Sequence, residues 1–407
     1  MALSLAIIII LGLLFNRLFD KVKLPGLLGM LILGIIIGPY GFGLISKEIL
    51  NISADLREIA LIVILLRAGL GIEKETLKKV GVPAVKLSFI PGILEGFTII
   101  FISSYIFALS FIEAGILGFI IAAVSPAVVV PQMLNLIDNN RGAKKGIPTL
   151  ILTGASIDDV FAITIFSTFL GLYGGTHLNI TKQLFNVPIS IIIGIILGAI
   201  SGFLLVYLFK KYHMRDTKKA LIILSIAILL TGIEDFMKDI IPIASLLGVM
   251  TIGFVLQERY KLIGTRLASK FNKIWVFAEI MLFVLVGAEV NIHLAIESGL
   301  AGLVIIFTGL LARGIGVLIS VSGTNLNWKE RVFSIIAYTP KATVQAAIGA
   351  VPLAAGVKSG ELILAMAVLS IVITAPLGAA GIKITGERWL SKDDTYLQKK
   401  EENNNGR

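Results

Sequence analysis

Two adjacent carboxylates, Asp158 and Asp159, lie inside the apolar segment GASIDDVFAI, which runs from residue 154 to 163. An acid that is removed from water in this way can hold a proton or a small monovalent cation, but not both at once. Adjacent residues on a helix point about 100° apart, so the two side chains face different neighbours. The pair therefore predicts a site at which protons and a cation such as sodium or lithium compete.

The composition around this pair is that of a membrane protein. Apolar residues make up 56% of the 407 residues, charged residues make up 15%, and the mean hydropathy is +0.94. A soluble domain of this size would not tolerate such a composition. The apolar runs have the length of helices, so we predict an all-α polytopic membrane protein with about 13 transmembrane helices. The chain has no cysteine, which excludes disulfides and thiolate metal sites.

The basic residues predict the orientation of the chain. If the chain starts outside and crosses at each predicted span, most of its 36 lysine and arginine residues fall in cytoplasmic loops. This positive-inside bias predicts an external N-terminus and a cytoplasmic C-terminus. The net charge of +10 then reflects topology, so we expect no nucleic-acid partner. We expect the lipid bilayer to be that of a bacterial or archaeal plasma membrane.

Two predicted spans contain a Ser/Thr-Pro step, in AAVSPAVVVPQM (122–133) and in IAYTPKATVQAA (336–347). Proline removes a backbone donor and clashes with the preceding turn, so these helices should break near Pro126 or Pro131 and near Pro340. Each broken span is the second of three consecutive helices, and an odd number of spans separates the corresponding helices. We therefore predict inverted-topology repeats whose two broken helices cross at the bilayer midplane and build an ion site.

Charged residues elsewhere in the apolar runs need partners, because a charge at the centre of a span costs about 2.5 to 3.5 kcal/mol. Glu95 and Arg313 occupy equivalent spans of the two repeats, so they can satisfy each other as a buried ion pair. This pair could be structural or could take part directly in transport. Lys341 follows Pro340 at the second break, where it could neutralise helix carbonyl ends or a carboxylate.

Uncharged oxygen atoms accompany the two breaks. Hard cations such as sodium and lithium prefer carboxylate, hydroxyl and carbonyl ligands. The candidate polar residues at the crossing helices are Ser125, Thr153, Thr339, Thr343 and Gln345. Each of these side chains could instead serve helix packing.

Three motifs, VSPAVVVP, GASIDDVFAI and TPKATVQAAIG, together resemble the monovalent cation/proton antiporter superfamily, specifically the NHA-type sodium/proton exchangers of its second branch. The resemblance covers about residues 20 to 385. It implies a secondary active transporter, not an enzyme, that exchanges Na⁺ or Li⁺ for H⁺ and serves pH homeostasis. It also implies a homodimer of two-domain protomers, in which a core domain carries the ion by an elevator-like shift. No cofactor is expected beyond the transported ions.

The resemblance implies roles for individual residues. Asp159 looks like the principal cation and proton carrier, and Asp158 looks like its assisting neighbour. Glu95 and Arg313 match a core ion pair of the NHA group, and Lys341 matches the lysine of the PKATVQAA stretch.

The resemblance and the repeats together predict a domain organisation. The breaks are expected near 125–131 and 339–343. The segments are 1–55 with N-terminal scaffold helices, 56–172 with the first repeat and mostly core domain, 173–273 with scaffold linker helices, 274–385 with the second repeat and mostly core domain, and 386–407 with a cytoplasmic tail.

Three other functions remain as alternatives. A K⁺/H⁺ exchanger would share the fold, although the short charged tail from about residue 386 differs from the nucleotide-binding domains of potassium-efflux relatives. A sodium-coupled organic-solute symporter would need a second polar cavity. An intramembrane aspartyl protease needs its two aspartates on facing helices, whereas Asp158 and Asp159 are adjacent on one helix.

Overall fold

A computed structural model of the chain describes residues 1–22, 24–71, 74–142, 144–174, 180–237, 241, 243–291 and 299–392. These residues form eighteen helices and no strand, apart from an isolated bridge between Arg141 and Lys392. The predicted all-α class is therefore confirmed. The helices are α1 Ala2–Lys21, α2 Gly26–Ile37, α3 Lys47–Asn51, α4 Ser53–Gly71, α5 Lys74–Leu87, α6 Ile90–Ile106, α7 Phe111–Ile121, α8 Pro126–Asp138, α9 Ile147–Gly174, α10 Ile180–Lys211, α11 Asp216–Met237, α12 Ser245–Arg259, α13 Lys261–Ala288, α14 Gly299–Ser320, α15 Trp328–Ala337, α16 Thr343–Ile348, α17 Val351–Ala354 and α18 Gly360–Trp389.

Seven helical stretches of the described residues are long and apolar enough to cross a membrane. They are Ala2–Lys21, Gly81–Ile106, Ile147–Tyr173, Ile189–Lys211, Lys261–Ala288, Gly299–Ser320 and Gly360–Trp389. Shorter apolar helices include Phe111–Ile121, Val128–Ile137 and Thr343–Ala354, which belong to the two predicted spans with a Ser/Thr-Pro step. A span that is divided between two short helices has no single helix long enough to cross the membrane, so these segments are not among the seven. The total of about 13 spans stays a prediction.

Both predicted spans that contain a Ser/Thr-Pro step are interrupted. Residues 122–125 separate α7 from α8, and residues 338–342 separate α15 from α16. Pro126 is the first residue of α8, a position at which its missing N–H removes no helical hydrogen bond. Pro131 lies inside α8 without ending it, so the first break lies before Pro126. Pro340 lies within the second non-helical stretch.

The chain divides into two compact units. Unit A comprises Met1–Glu75, Thr164–Ile296 and Ala346–Ala365, and unit B comprises Thr76–Ile163, Glu297–Gln345 and Met366–Arg407. Of the predicted cytoplasmic tail, residues 393–407 lie outside the described part of the chain.

In unit A, α13 packs against α2 and α4, and α12 packs against α4 and α10. Small residues allow the close approach of α2 and α13. A Cβ atom on Gly34 would lie 2.1 Å from the carbonyl oxygen of Val284, and one on Gly287 would lie 2.1 Å from that of Leu31. Reciprocal glycine contacts of this kind are typical of helices packed within a membrane.

Unit A also contains an ion pair that the sequence analysis did not identify. Arg57 on α4 is 3% exposed, and its Nη1 atom lies 2.7 Å from Glu289 Oε2. The hydroxyl of Ser53 donates to the other oxygen of Glu289. Arg57 lies close to the start of its helix. From the sequence, an arginine at such a position is expected at the membrane surface rather than in a buried ion pair.

In unit B, α6 packs against α7 and α14, and α14 packs against α15. An apolar cluster lies beside these helices and includes Val124, Met133, Ile151, Phe333 and Tyr338. The cluster joins both interrupted segments to α9, the helix that carries the two aspartates. It therefore fixes the elements that position the candidate site.

Candidate functional site

The two interrupted segments contact each other at their interruptions. The backbone N–H of Ser125 donates to the carbonyl of Pro340 over 2.8 Å. The hydroxyl oxygens of Ser125 and Thr343 are 3.4 Å apart, and the backbone N–H of Thr343 donates to Ser125 Oγ over 3.4 Å. The non-helical backbone of one segment is thus satisfied in part by the other segment, as buried irregular backbone in a membrane protein requires.

Gln345 satisfies the carbonyl end of the first half-helix. The last carbonyls of a helix have no partner within it. Gln345 Nε2 donates to the carbonyls of Ile120 (2.9 Å), Ile121 (3.3 Å) and Ala123 (2.9 Å) at the end of α7. Its Oε1 atom is buried and has no hydrogen-bond partner among the described residues. Gln345 therefore has the role that the sequence analysis offered as one option for Lys341.

Lys341 instead meets a carboxylate. Its Nζ atom lies 2.7 Å from Glu95 Oε2. Arg313 Nε donates to the same oxygen, so the predicted contact between Glu95 and Arg313 is present and has a third member. All three side chains are buried. The backbone N–H of Lys341 donates to Thr374 Oγ1 on α18 over 2.8 Å, a contact that the sequence analysis did not predict.

Asp158 connects this ion cluster to the first interruption. Its Oδ2 atom accepts a hydrogen bond from the backbone N–H of Val124 over 2.9 Å. The same oxygen lies 3.3 Å from Arg313 Nη2. Asp158 is buried, and the guanidinium of Arg313 and the backbone N–H of Val124 compensate its negative charge there.

Asp159 lacks the ion-pair and hydrogen-bond partners that Asp158 has among the described residues. It is 4% exposed, and its Oδ1 atom has no hydrogen-bond partner in the described part of the chain. The charges of Asp158, Arg313 and Lys341 act on it, but none of the ion pairs among the described residues includes it. A carboxylate that is buried without a partner is costly.

The remaining predicted residues, Thr153 and Thr339, make no hydrogen bond to the carboxylates of the site among the described residues. Thr339 is half-buried, and its hydroxyl donates over 2.9 Å to the carbonyl of Ile336 in the last turn of α15. Thr153 is buried on α9, but the hydrogen bonds among the described residues do not connect it to Asp158 or Asp159. These two residues have contacts or positions typical of helix packing.

Tyr338 is a member of the site that the sequence analysis missed. Its side chain is 0% exposed, and its ring centroid lies 5.8 Å from Arg313 Cζ. Its hydroxyl has no partner among the described residues. An aromatic residue beside a helix break is usually interpreted as apolar core, although its position two residues before Pro340 was a usable signal.

Exchanging the charges of Glu95 and Arg313 tests whether their ion pair stabilises the protein. Each single variant, Glu95→Arg or Arg313→Glu, should destabilise the protein by about 3 to 5 kcal/mol, because it leaves a buried charge unpaired. The double variant should recover only part of this loss, since its new arginine would face Lys341 and its new glutamate would face Asp158. Melting temperatures in detergent measure the effect. Fully additive losses would show that the pair is not coupled.

The helical membrane fold, the two interruptions in contact and the buried ion cluster define an ion-transporting membrane protein. The family model for the transmembrane sodium/hydrogen exchangers matches residues 4–387, and the chain belongs to this family of cation/proton exchangers. Family membership confirms the predicted superfamily and a transporter that spans the membrane several times.

Individual relatives support the same assignment. Human sodium/hydrogen exchanger 9B2 is 34% identical over 387 residues, which cover 91% of this chain and 70% of that protein. Human sodium/hydrogen exchanger 9B1 is 32% identical over 395 residues, covering 91% and 73%. The structure of the sodium proton antiporter MjNhaP1 from Methanocaldococcus jannaschii at pH 8 has a TM-score of 0.83, with 20% identity and coverage of 94% and 97%. This last similarity shows the fold. The bacterial or archaeal origin and the orientation of the termini stay predictions.

Proposed function

We propose that this protein exchanges Na⁺ or Li⁺ for H⁺ by alternating access, and that the two ions occupy Asp159 in turn, with Asp158 as the assisting neighbour. The observation that carries the proposal is the pairing within the buried cluster. Arg313 is paired with Glu95 and Asp158, and Lys341 is paired with Glu95. Asp159, in contrast, has no partner among the described residues. Asp159 is therefore the group whose occupant can change without breaking an ion pair.

The charges of the cluster suggest why exchange is coupled. When every group is ionised, the three carboxylates exceed Arg313 and Lys341 by one negative charge. One proton or one monovalent cation on Asp159 removes this excess. Because an uncompensated buried charge is unfavourable, the loaded forms can change their exposure more readily than the empty form. That difference prevents the return of an empty carrier and links the two fluxes.

Buried oxygen atoms around the aspartates suit a cation as the transported substrate. Asp158 Oδ1, Asp159 Oδ1 and Gln345 Oε1 are buried acceptors that lack a donor in the described residues. The hydroxyls of Ser125 and Thr343 lie at the same crossing. Carboxylate, amide and hydroxyl oxygens are the ligands that hard cations prefer.

Two contacts support the proposed inverted repeats. Glu95 is separated from Arg313 by 218 residues, and Ser125 is separated from Thr343 by the same 218 residues. Corresponding residues of two inverted copies can meet only on the two-fold axis that relates the copies. A constant separation in two independent contacts is what such an axis predicts.

We extend the proposal to the predicted domains and assembly. Every charged member of the cluster belongs to unit B, which supports a core domain that carries the ion. Unit A holds most of the segments predicted as scaffold, and we assign the homodimer contact to it. The elevator-like movement, the external N-terminus and the segment boundaries at 55, 172, 273 and 385 belong to the same proposal.

Flux in proteoliposomes tests the proposal. Vesicles with an internal pH dye and an imposed pH gradient should lose that gradient on addition of Na⁺ or Li⁺. A response to K⁺ alone would instead identify a K⁺/H⁺ exchanger. Sodium uptake that requires an organic solute would identify a symporter, and no response to any of these ions would contradict exchange.

A further inference from the structure

Tyr338 contacts the ion cluster through its ring rather than through its hydroxyl. It follows the last residue of α15, and its side chain is fully buried. The ring centroid lies 5.8 Å from Arg313 Cζ, within the range in which an aromatic face attracts a guanidinium. Its hydroxyl has no hydrogen-bond partner in the described part of the chain. The contact with Arg313 therefore needs an explanation other than a hydrogen bond of the tyrosine.

A glycine on α9 provides the space for this ring. Gly154 precedes Asp158 by four residues, so both lie on one face of α9. A Cβ atom on Gly154 would lie 2.0 Å from the hydroxyl oxygen of Tyr338 and 3.4 Å from its Cζ. Tyr338 thus extends from Arg313 to the backbone of α9, one turn before the aspartates.

Arg313 has an unused donor, and Asp159 has an unused acceptor. A guanidinium carries five N–H donors. Arg313 uses Nε for Glu95 and Nη2 for Asp158, while Nη1 has no partner among the described residues. Asp159 Oδ1 also has none, and the charge of Arg313 acts on Asp159. If the guanidinium left Glu95 and Asp158 and reached Asp159, it would form a charge-assisted hydrogen bond there and compete with the transported cation.

We propose that Tyr338 is a positioning residue, whose ring holds the Arg313 guanidinium on Glu95 and Asp158 and so keeps Asp159 open to the cation. This inference rests on the proposed function, because it concerns the affinity of the same site. A tyrosine that only filled space would affect protein yield and maximal rate. A tyrosine that restrains Arg313 affects the apparent KM for sodium.

Two substitutions of Tyr338 separate the ring from the rest of the side chain. Tyr338→Leu removes the aromatic face and should raise the apparent KM for Na⁺ by about 2- to 30-fold, the range that a cation–π contact supports. Its maximal rate should stay within about twofold of the wild type. Tyr338→Phe keeps the face and should restore the KM to within about twofold. Tyr105→Leu on α6 is the control, because Tyr105 is 90% exposed.

Gly154 provides a second test that keeps the tyrosine and applies if Tyr338→Leu does not fold. Gly154→Ala places a methyl group on the Tyr338 hydroxyl and should displace the ring, which raises the KM for Na⁺. Adding Tyr338→Phe removes the hydroxyl and should restore part of the loss. The recovery is partial because the new Cβ also lies 2.9 Å from Leu87 Cβ.

Binding provides a readout that does not depend on transport. The sodium-dependent rise of the melting temperature in detergent reports affinity directly. A smaller rise in Tyr338→Leu than in Tyr338→Phe supports the positioning role. The positioning role is overturned if the KM for sodium and the sodium-dependent rise of the melting temperature equal those of the wild type in both variants. It is also overturned if Tyr338→Phe is impaired as much as Tyr338→Leu. Wild-type protein that binds sodium but exchanges nothing contradicts the proposed function alone.

Discussion

We expect Asp159→Asn to abolish sodium-dependent proton exchange without unfolding the protein. The substitution keeps the shape of the side chain and removes the charge that a proton or cation must neutralise. No ion pair among the described residues is lost, because Asp159 has none. The variant also loses an unpaired buried charge beside Asp158, so its melting temperature in detergent should equal or exceed that of the wild type. Exchange should fall below about 1% of the wild-type rate, a loss of about 3 kcal/mol or more.

Two matched variants make this result specific. Asp55→Asn changes an exposed aspartate of α4 and should leave exchange unchanged. Asp158→Asn breaks the contact with Arg313, so it should lower the melting temperature and cost about 3 kcal/mol of stability. Opposite stability effects of two adjacent substitutions would distinguish a free carboxylate from a paired one. Full exchange by Asp159→Asn would refute the assignment of the carrier.

We expect an imposed membrane potential to leave the exchange rate unchanged. Lys341 and Arg313 remain paired with Glu95 and Asp158, so only Asp159 changes its occupant, and one proton is exchanged for one monovalent cation. The cycle then moves no net charge. An exchanger that moved two protons per cation would transfer one charge, worth about 2.3 kcal/mol per 100 mV. A potential of 100 mV would then shift the equilibrium constant of the exchange about 50-fold.

Vesicles clamped with a potassium ionophore at zero and at −100 mV measure this directly. Equal sodium-dependent rates and equal end points support one-for-one exchange. A shift of the end point by one charge would show that a second group releases a proton during the cycle. Lys341→Gln would then identify that group, because loss of the voltage response would assign the second proton to Lys341.

Much of the site could be predicted because charges inside apolar runs are rare. Glu95, Arg313, Asp158 and Asp159 interrupt long apolar segments, and each needs a partner or an occupant there. The breaks before Pro126 and at Pro340 could be predicted because the ring of a proline clashes with the preceding helical turn. These inferences need only local sequence and the properties of the bilayer.

The partners within the cluster could not be predicted, because they depend on distances between helices far apart in the chain. Lys341 had two plausible roles, and only the 2.7 Å contact with Glu95 decides between them. Gln345 appeared as one polar residue among several, and nothing in its sequence context indicates that one amide reaches three carbonyls. Arg57 and Tyr338 were missed because a helix end and an aromatic residue have simple explanations when each is considered alone.

The equal separation of Glu95 from Arg313 and of Ser125 from Thr343 bears on the ancestry of the chain. If an ancestral gene encoded one half, two identical subunits would have met with the same residue on both sides of the axis. Glutamate against glutamate, or arginine against arginine, is strongly unfavourable in a buried contact. If duplication then joined the halves in one reading frame, as the proposed inverted repeats imply, each copy could mutate alone, and opposite charges could face each other. On this history, the Glu95 and Arg313 pair could arise only after the duplication, because two identical halves cannot place different residues on the two sides of the axis.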